Sequence, residues 1–294
     1  MNILKKMVCI LLGIIGIHTI QAEIITYPAE VTPGSWLCFR KDISVGKDAS
    51  HNLLKIAADS KYWLWINGEL IVREGNLKRG PNPKDTYCDI LRDVKGLVSG
   101  RNTIALLVWY FGKDGFSHRN SPTAGVSVDL TIGKQRYISD DSWKVSIHPS
   151  FYIPNGINPN YRLPESNIGF NAQKEVAFWD KDFDDALWQD AKVIKKELSG
   201  WNQLVERPIP MWKDYGLKDY VKVERKSDTL FVAYLPYNAQ VNPYIKLKAK
   251  VGEIIDIRTD NYCGGGTPNV YAEYITKNGI QEFEAWGWMN GHQV

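Results

Sequence analysis

The chain has 294 residues, of which 44% are hydrophobic, 23% charged and 12% aromatic, with a formal net charge of +3. This length supports one large or two medium domains with an ordinary core. The near-balanced charge excludes the basic excess that draws a protein to nucleic acid or anionic membrane, so a neutral partner is expected.

Lys5 and Lys6, the apolar run from Met7 to Ile17 and the small residue closing Ile20-Gln21-Ala22 predict a secretory signal peptide over 1–22. Export to a periplasm or the medium follows, and discarding the two lysines lowers the formal charge to +1. The apolar run is shorter than the roughly 20 residues of a membrane span, and Cys9 sits inside it rather than at the cleavage point, which argues against a lipid anchor. The mature chain keeps Cys38, Cys88 and Cys263, an odd set without metal or redox spacing. At most one disulfide can form, and whether Cys38 and Cys88 pair stays open.

Further along, the signals are those of an all-β protein. Asp89 to Ser99, with Ile90, Val94 and Leu97 on one face and Gly100 as a stop, reads as the best short helix. Thr103 to Tyr110 is apolar throughout and predicts an interior strand, whereas Val126, Val128, Leu130 and Ile132 alternate with polar residues as in a strand with one wet face. The same alternation returns at Ile245, Leu247, Ala249 and Val251, then at Ile255 and Ile257. Asn67-Gly68, Asn278-Gly279 and Asn290-Gly291 each predict a hairpin turn. Arg207-Pro208-Ile209-Pro210 and the polar, aromatic run to Tyr220 predict a connector, dividing the mature chain into 23–217 and 218–294. Many short strands with turn punctuation predict two β-sandwiches. The second is expected to be incomplete, its last strand left without a partner after Asn290-Gly291. No internal repeat or low-complexity tract is present.

Chemical motifs are scarce. Asp180 to Asp185 imitates a calcium loop, but Asp185 occupies the glycine position and Ala191 replaces the closing glutamate, so an Asp-capped turn carrying Trp188 into the core is expected. The five histidines are scattered, Cys263-Gly264-Gly265-Gly266-Thr267 lacks the lysine and helix of a phosphate loop, and no serine has a nucleophile-elbow context. No metal, cofactor or catalytic residue is nominated. The 11 Trp and 15 Tyr are more informative, because sugars bind by stacking a C–H face on an aromatic ring while polar side chains bond their hydroxyls. Three segments combine the two: Tyr110, Asp114, His118 and Arg119; Tyr161, Arg162 and Glu165; and Trp286, Trp288 and Asn290. Core packing accounts for Trp63, Trp65, Trp109 and Trp188, and the turn accounts for Asn67 in its pairing with Asp59.

Several stretches together resemble the accessory β-domains of bacterial α-L-rhamnosidases: IAADSKYWLWING over Ile56–Gly68, RGPNP over Arg79–Pro83, WYFGKDGFSH over Trp109–His118 and NYRLPESN over Asn160–Asn167. The likeness continues through FDDALW over Phe183–Trp188, DNYCGGG over Asp260–Gly266 and GWMNG over Gly287–Gly291. It implies a galactose-binding-like jelly-roll sandwich, then a second β-sandwich. In complete members an (α/α) barrel follows whose two carboxylates, set roughly 6.5–9.5 Å apart, act with inversion. No run of amphipathic helices occurs in 23–294, so no catalytic residue carries over. The resemblance implies a non-catalytic, carbohydrate-binding accessory portion acting on rhamnose-containing glycans, in association with a missing catalytic domain. Three alternatives stand beside it: a stand-alone exported carbohydrate-binding module, an assembly protein pairing through an open C-terminal strand edge, and an independent enzyme with no residue to nominate.

Overall fold

The computed structural model describes residues 22–294 apart from 48, 50, 78–81, 83, 84, 117, 157, 161, 162, 262, 265 and 266, and leaves the side chains of 263, 264 and 267 aside. Residues 1–21 of the expected signal peptide, Tyr161, Arg162, most of the 79–83 motif and much of the 263–267 glycine loop thus lie outside the described residues.

The chain opens with β1 (Ile24–Thr26), β2 (Trp36–Val45), β3 (Asn52–Ala58), β4 (Lys61–Ile66), β5 (Glu69–Asn76), β6 (Thr86–Arg92), β7 (Gly100–Trp109) and β8 (Val126–Ile132). It continues through β9 (Gln135–Ile138), β10 (Lys144–Ile147), β11 (Phe151–Tyr152), β12 (Ile168–Asn171), β13 (Gln189–Asp190), β14 (Lys192–Ile194), the single-turn α1 (Lys196–Ser199) and β15 (Leu204–Glu206). Two sheets face each other, one ordered β14-β1-β8-β3-β6-β15 with β9 against β8, the other β13-β10-β2-β7-β4-β5. Their inner faces form one core from Leu37, Phe39, Leu54, Leu64, Leu106 and Val128 among others. This is the expected sandwich, with β7 interior between β2 and β4.

Why β7 is apolar throughout becomes clear from its two faces. Ile104, Leu106 and Val108 enter the sandwich core, while Ala105, Leu107 and Trp109 join Trp36, Trp63, Trp65 and Phe178 in a second cluster on the outside of the same sheet. A strand covered on both faces has no reason to alternate.

The remaining strands are β16 (Lys222–Arg225), β17 (Phe231–Val241), β18 (Tyr244–Ala249), β19 (Ile254–Arg258), β20 (Cys263–Gly264), β21 (Thr267–Pro268), β22 (Tyr271–Ile275), β23 (Gly279–Glu284) and β24 (Met289–Gln293). They form the sheets β11-β12-β22-β19, β16-β17-β24, β18-β23 and β20-β21. Phe170, Tyr274 and Phe283 anchor a separate small core there. β12 lies parallel to β22, pairing Ile168 with Ala272 and Phe170 with Tyr274, so this sheet spans both sides of residue 218.

Three local expectations are corrected. Residues 89–99 are not helical: β6 pairs with β3 through Leu54↔Leu91 and Ile56↔Asp89, and the positive φ of Asp93 (50°) and Gly96 (85°) then turns the chain. Asp89 decides the matter, because it is buried and takes Arg207 Nε at 2.8 Å, Tyr62 OH at 2.9 Å and the Asn76 amide at 2.9 Å, partners that helical backbone would not align. Asn67-Gly68 does close the β4–β5 hairpin, with φ of 51° and 86°. Asn278-Gly279 instead carries the chain from one sheet to another, since β22 and β23 do not pair. Asn290-Gly291 lies inside β24, opposite Gln240 and Ala239 of β17. The last strand therefore has a partner, and Val294 and Ala233 exchange backbone hydrogen bonds at 2.9 and 2.8 Å. Glycine serves there for close approach, because a Cβ at 291 would fall 2.3 Å from Asp260 Oδ1.

The acidic run at 180–185 builds turns, with Asp180 and Asp184 accepting from the amides of Asp182 and Ala186. Asp185 pairs at 2.8 Å with the guanidinium of the buried Arg40, and Trp188 packs edge-on against Phe183. Cys38 and Cys88 are both buried free thiols, in different clusters.

Candidate functional site

The outer face of the six-stranded sheet is covered by later segments of the chain, including Phe178 and Trp286. Period-two alternation along β4 puts Lys61, Trp63 and Trp65 on this face and Tyr62, Leu64 and Ile66 on the other. Trp36 stacks on Trp109 at 4.5 Å, on Trp63 at 5.3 Å and on Phe151 at 3.9 Å, and Trp286 from the far part of the chain meets Trp63 edge-on at 5.5 Å. Much of the tryptophan surplus is thereby spent on joining layers rather than on open platforms.

At the edge of this aromatic seam sits a buried ionic cluster. Lys61 is 1% exposed, its Nζ 2.9 Å from Glu74 Oε1 and 3.3 Å from Glu165 Oε1, and 5.8 Å above the rings of both Trp109 and Phe111. Burial disfavours the ammonium, but Glu74 and Glu165 outweigh it and hold the Lys61 pKa above its ordinary value. Glu74 reaches the lysine from a left-handed backbone at φ 58°, a conformation that costs a non-glycine residue about 1–3 kcal/mol and that clusters at functional or strongly constrained sites. Burial lowers the pKa of nearby Lys113, with Glu165 opposing.

Against this cluster lies a cavity of about 30 Å³ walled by Lys61, Trp109, Glu165, Asn167, Tyr271 and Trp288. Glu165 Oε2 accepts no hydrogen bond among the described residues. The enclosed space suits one water, so a sugar ring could only lie across its mouth. Glu165 and Trp288 are thus brought together, with Lys61 and Tyr271 joining them.

The other expected residues are differently placed. Tyr110 is buried in the sandwich core and donates to Ser121 O at 2.9 Å. His118 is also buried, with Nδ1 at 2.6 Å from Leu77 O and Nε2 at 3.7 Å from Asp59 Oδ1, while Asp59 Oδ2 takes the Ser121 amide at 2.8 Å. These contacts tie the 110–121 loop to the sandwich. Asp114 and Arg119 are exposed and pair at 2.8 Å, and Asp114 also takes the Asn120 amide, which with Arg119 holds its carboxyl below the usual range. Asn67 forms its turn, and its side chain ties that turn to β7 by accepting the Thr103 amide. Trp286 belongs to the aromatic seam, and Asn290 accepts from Asn261 Nδ2. Sequence reasoning missed Lys61, although a lysine opening the apolar run Tyr62-Trp63-Leu64-Trp65-Ile66 was a visible signal.

No protein-family profile and no curated protein sequence matches the chain. Solved structures do. The α-L-rhamnosidase from Dictyoglumus thermophilum superposes with a TM-score of 0.71 at 19% identity over 92% of this chain and 33% of that one. The native α-L-rhamnosidase from Aspergillus terreus gives 0.69 at 20% identity over 93% of this chain and 33% of that one. The Streptomyces avermitilis α-L-rhamnosidase, solved in complex with L-rhamnose, gives 0.68 at 16% identity over 89% of this chain and 27% of that one. The chain has their fold over about a third of their length.

Proposed function

We propose that this chain is the non-catalytic accessory portion of an exported, α-L-rhamnosidase-related glycoside hydrolase, and that it contacts rhamnose-containing glycans. The observation that carries the reading is the extent of the fold match, 92% of this chain against 33% of the first enzyme. In this reading the units 23–217 and 218–294 are built as one accessory block through the shared β12–β22 sheet. The connector exposes Ile209, Trp212, Tyr215 and Leu217, apolar surface of the kind that marks contact with another domain, here the catalytic one. Glu165, Tyr271 and Trp288 supply aromatic and polar groups at one place for a sugar.

The test is to measure, on the chain from residue 23 onward, calorimetric affinity for rhamnose-containing polysaccharides together with turnover of an aryl α-L-rhamnoside. Glycan affinity without turnover is the expected result. Turnover by the chain alone would overturn the non-catalytic reading, and absence of glycan affinity would overturn the carbohydrate-contact part.

A further inference from the structure

A second cavity, of about 110 Å³, opens between the outer face of the six-stranded sheet and the small core of the later strands. Its walls are aromatic, chiefly Phe178, Trp179, Phe283 and Trp286, with Leu107 of β7 at its base. Glu175, Glu282 and Glu284 also line it, and the exposure of Glu175 (37%) and Glu282 (52%) shows that the cavity reaches solvent there. We infer that this cavity is a binding site for a single neutral pyranose ring, inserted apolar edge first between the aromatic walls. The inference deepens the accessory reading and rests on it for the carbohydrate class.

Charge selects against ions. Each rim carboxylate already has a cation: Glu175 pairs with Lys277 at 2.8 Å, Glu282 with Lys246 at 2.6 Å, and Glu284 with Arg73 through both carboxylate oxygens. An organic cation would therefore meet neutralised carboxylates rather than free ones. The same pairs present acceptors and donors side by side, which is the pattern that a vicinal diol satisfies, since each hydroxyl both donates and accepts.

His148 adds a donor to the wall. Its Nδ1 accepts the Ser150 amide at 3.2 Å, which places the ring proton on Nε2. Burial holds the imidazole neutral, its pKa lowered to about 4, so this arrangement persists at neutral pH. A hydroxyl oxygen can accept from Nε2–H; an alkylammonium has no lone pair to do so. As for size, about 150 Å³ of sealed apolar cavity admits benzene, and a smaller cavity that is open at its rim admits the apolar edge of a ring with its hydroxyls at the mouth.

The experiment titrates the chain from residue 23 onward with L-rhamnose, D-galactose and D-glucose, and with choline as the cationic control, by tryptophan fluorescence and saturation-transfer NMR. Two variants accompany the wild type: Leu107→Phe, which fills the base, and Lys246→Ala with Glu282→Ala, which removes one exposed rim pair. One monosaccharide is expected to bind with Kd of about 1 mM, weakened about tenfold or more by Leu107→Phe and several-fold by the rim variant. Undiminished monosaccharide binding in the rim variant and in Leu107→Phe would overturn the inference, as would a preference for choline. If polysaccharide binds while no monosaccharide does, this inference fails and the accessory reading stands. If neither binds, the carbohydrate reading itself fails.

Discussion

Replacing Lys61 by methionine is the sharpest test of the seam. The change keeps most of the side-chain volume but removes from Glu74 and Glu165, 8% and 13% exposed, the ammonium that pairs with both. Breaking a buried ion pair by removing one partner costs about 3–5 kcal/mol, a large part of a typical total of about 5–15 kcal/mol. With a urea m-value of about 2–3 kcal/mol per molar, the unfolding midpoint should fall by roughly 1–2.5 M, read by the fluorescence of the seam tryptophans. Glu165→Gln should cost only about 1 kcal/mol, because Lys61 keeps Glu74. In the double variant the losses should be smaller than their sum by about 1–3 kcal/mol. The same cluster sets an alkaline signature. The folded pKa of Lys61 is raised above its unfolded value of 10.5, so its contribution is complete below pH 10.5 and disappears as pH climbs through the folded pKa. Lys61→Met should lack that alkaline loss. A cost under about 1 kcal/mol, or strict additivity with Glu165→Gln, would refute the ionic account.

Other consequences can be read from single residues. His148 is neutral in the fold, with its pKa depressed from 6.5 to about 4, so its stabilising share is complete above pH 6.5 and is lost as pH falls from there towards 4. The loss should reach about 3 kcal/mol in acid titrations of stability and be absent in His148→Phe. Burial raises the thiol pKa of Cys38 well above its ordinary value and that of Cys88 to about 11, so neither should react with a thiol reagent at neutral pH until the protein unfolds; rapid labelling of either in the native state, mapped by mass spectrometry, would contradict their burial. Gly112 has φ +69°, and a Cβ there would lie 2.6 Å from Pro33 Cα. Gly112→Ala should cost about 2–4 kcal/mol and lower the melting temperature by about 5 °C or more, and an unchanged melt would show that the loop can yield.

The sequence made individual strands legible wherever one face is wet, as in 126–132, where Asp129 and Thr131 stay partly exposed between buried neighbours. It also identified the apolar interior strand β7 without revealing that two separate layers cover it. The helix expected over 89–99 shows the limit of local pattern: Ile90, Val94 and Leu97 have helical spacing, but the buried partners of Asp89 are long-range and invisible in a window. Asn290-Gly291 has turn chemistry, yet the glycine answers to Asp260, 31 positions away in sequence terms no propensity records. Of the candidate sugar contacts, Glu165 and Trp288 converge on one cavity, whereas Tyr110 and His118 turn inward to hold their loop. Lys61 and His148 owe their roles to burial, which depends on what covers them.

The parallel pairing of β12 with β22 also bears on how the chain is made. Ile168 must wait for Ala272, and at roughly 5–20 residues per second of synthesis that interval is about 5–20 s. During it the sandwich strands up to β10 can already be assembled, while the tryptophans on their outer face lack the cover that Trp286 will bring. The nascent protein therefore carries an adhesive aromatic surface for seconds, a window in which a chaperone, or another nascent copy, has access to it before the later strands arrive.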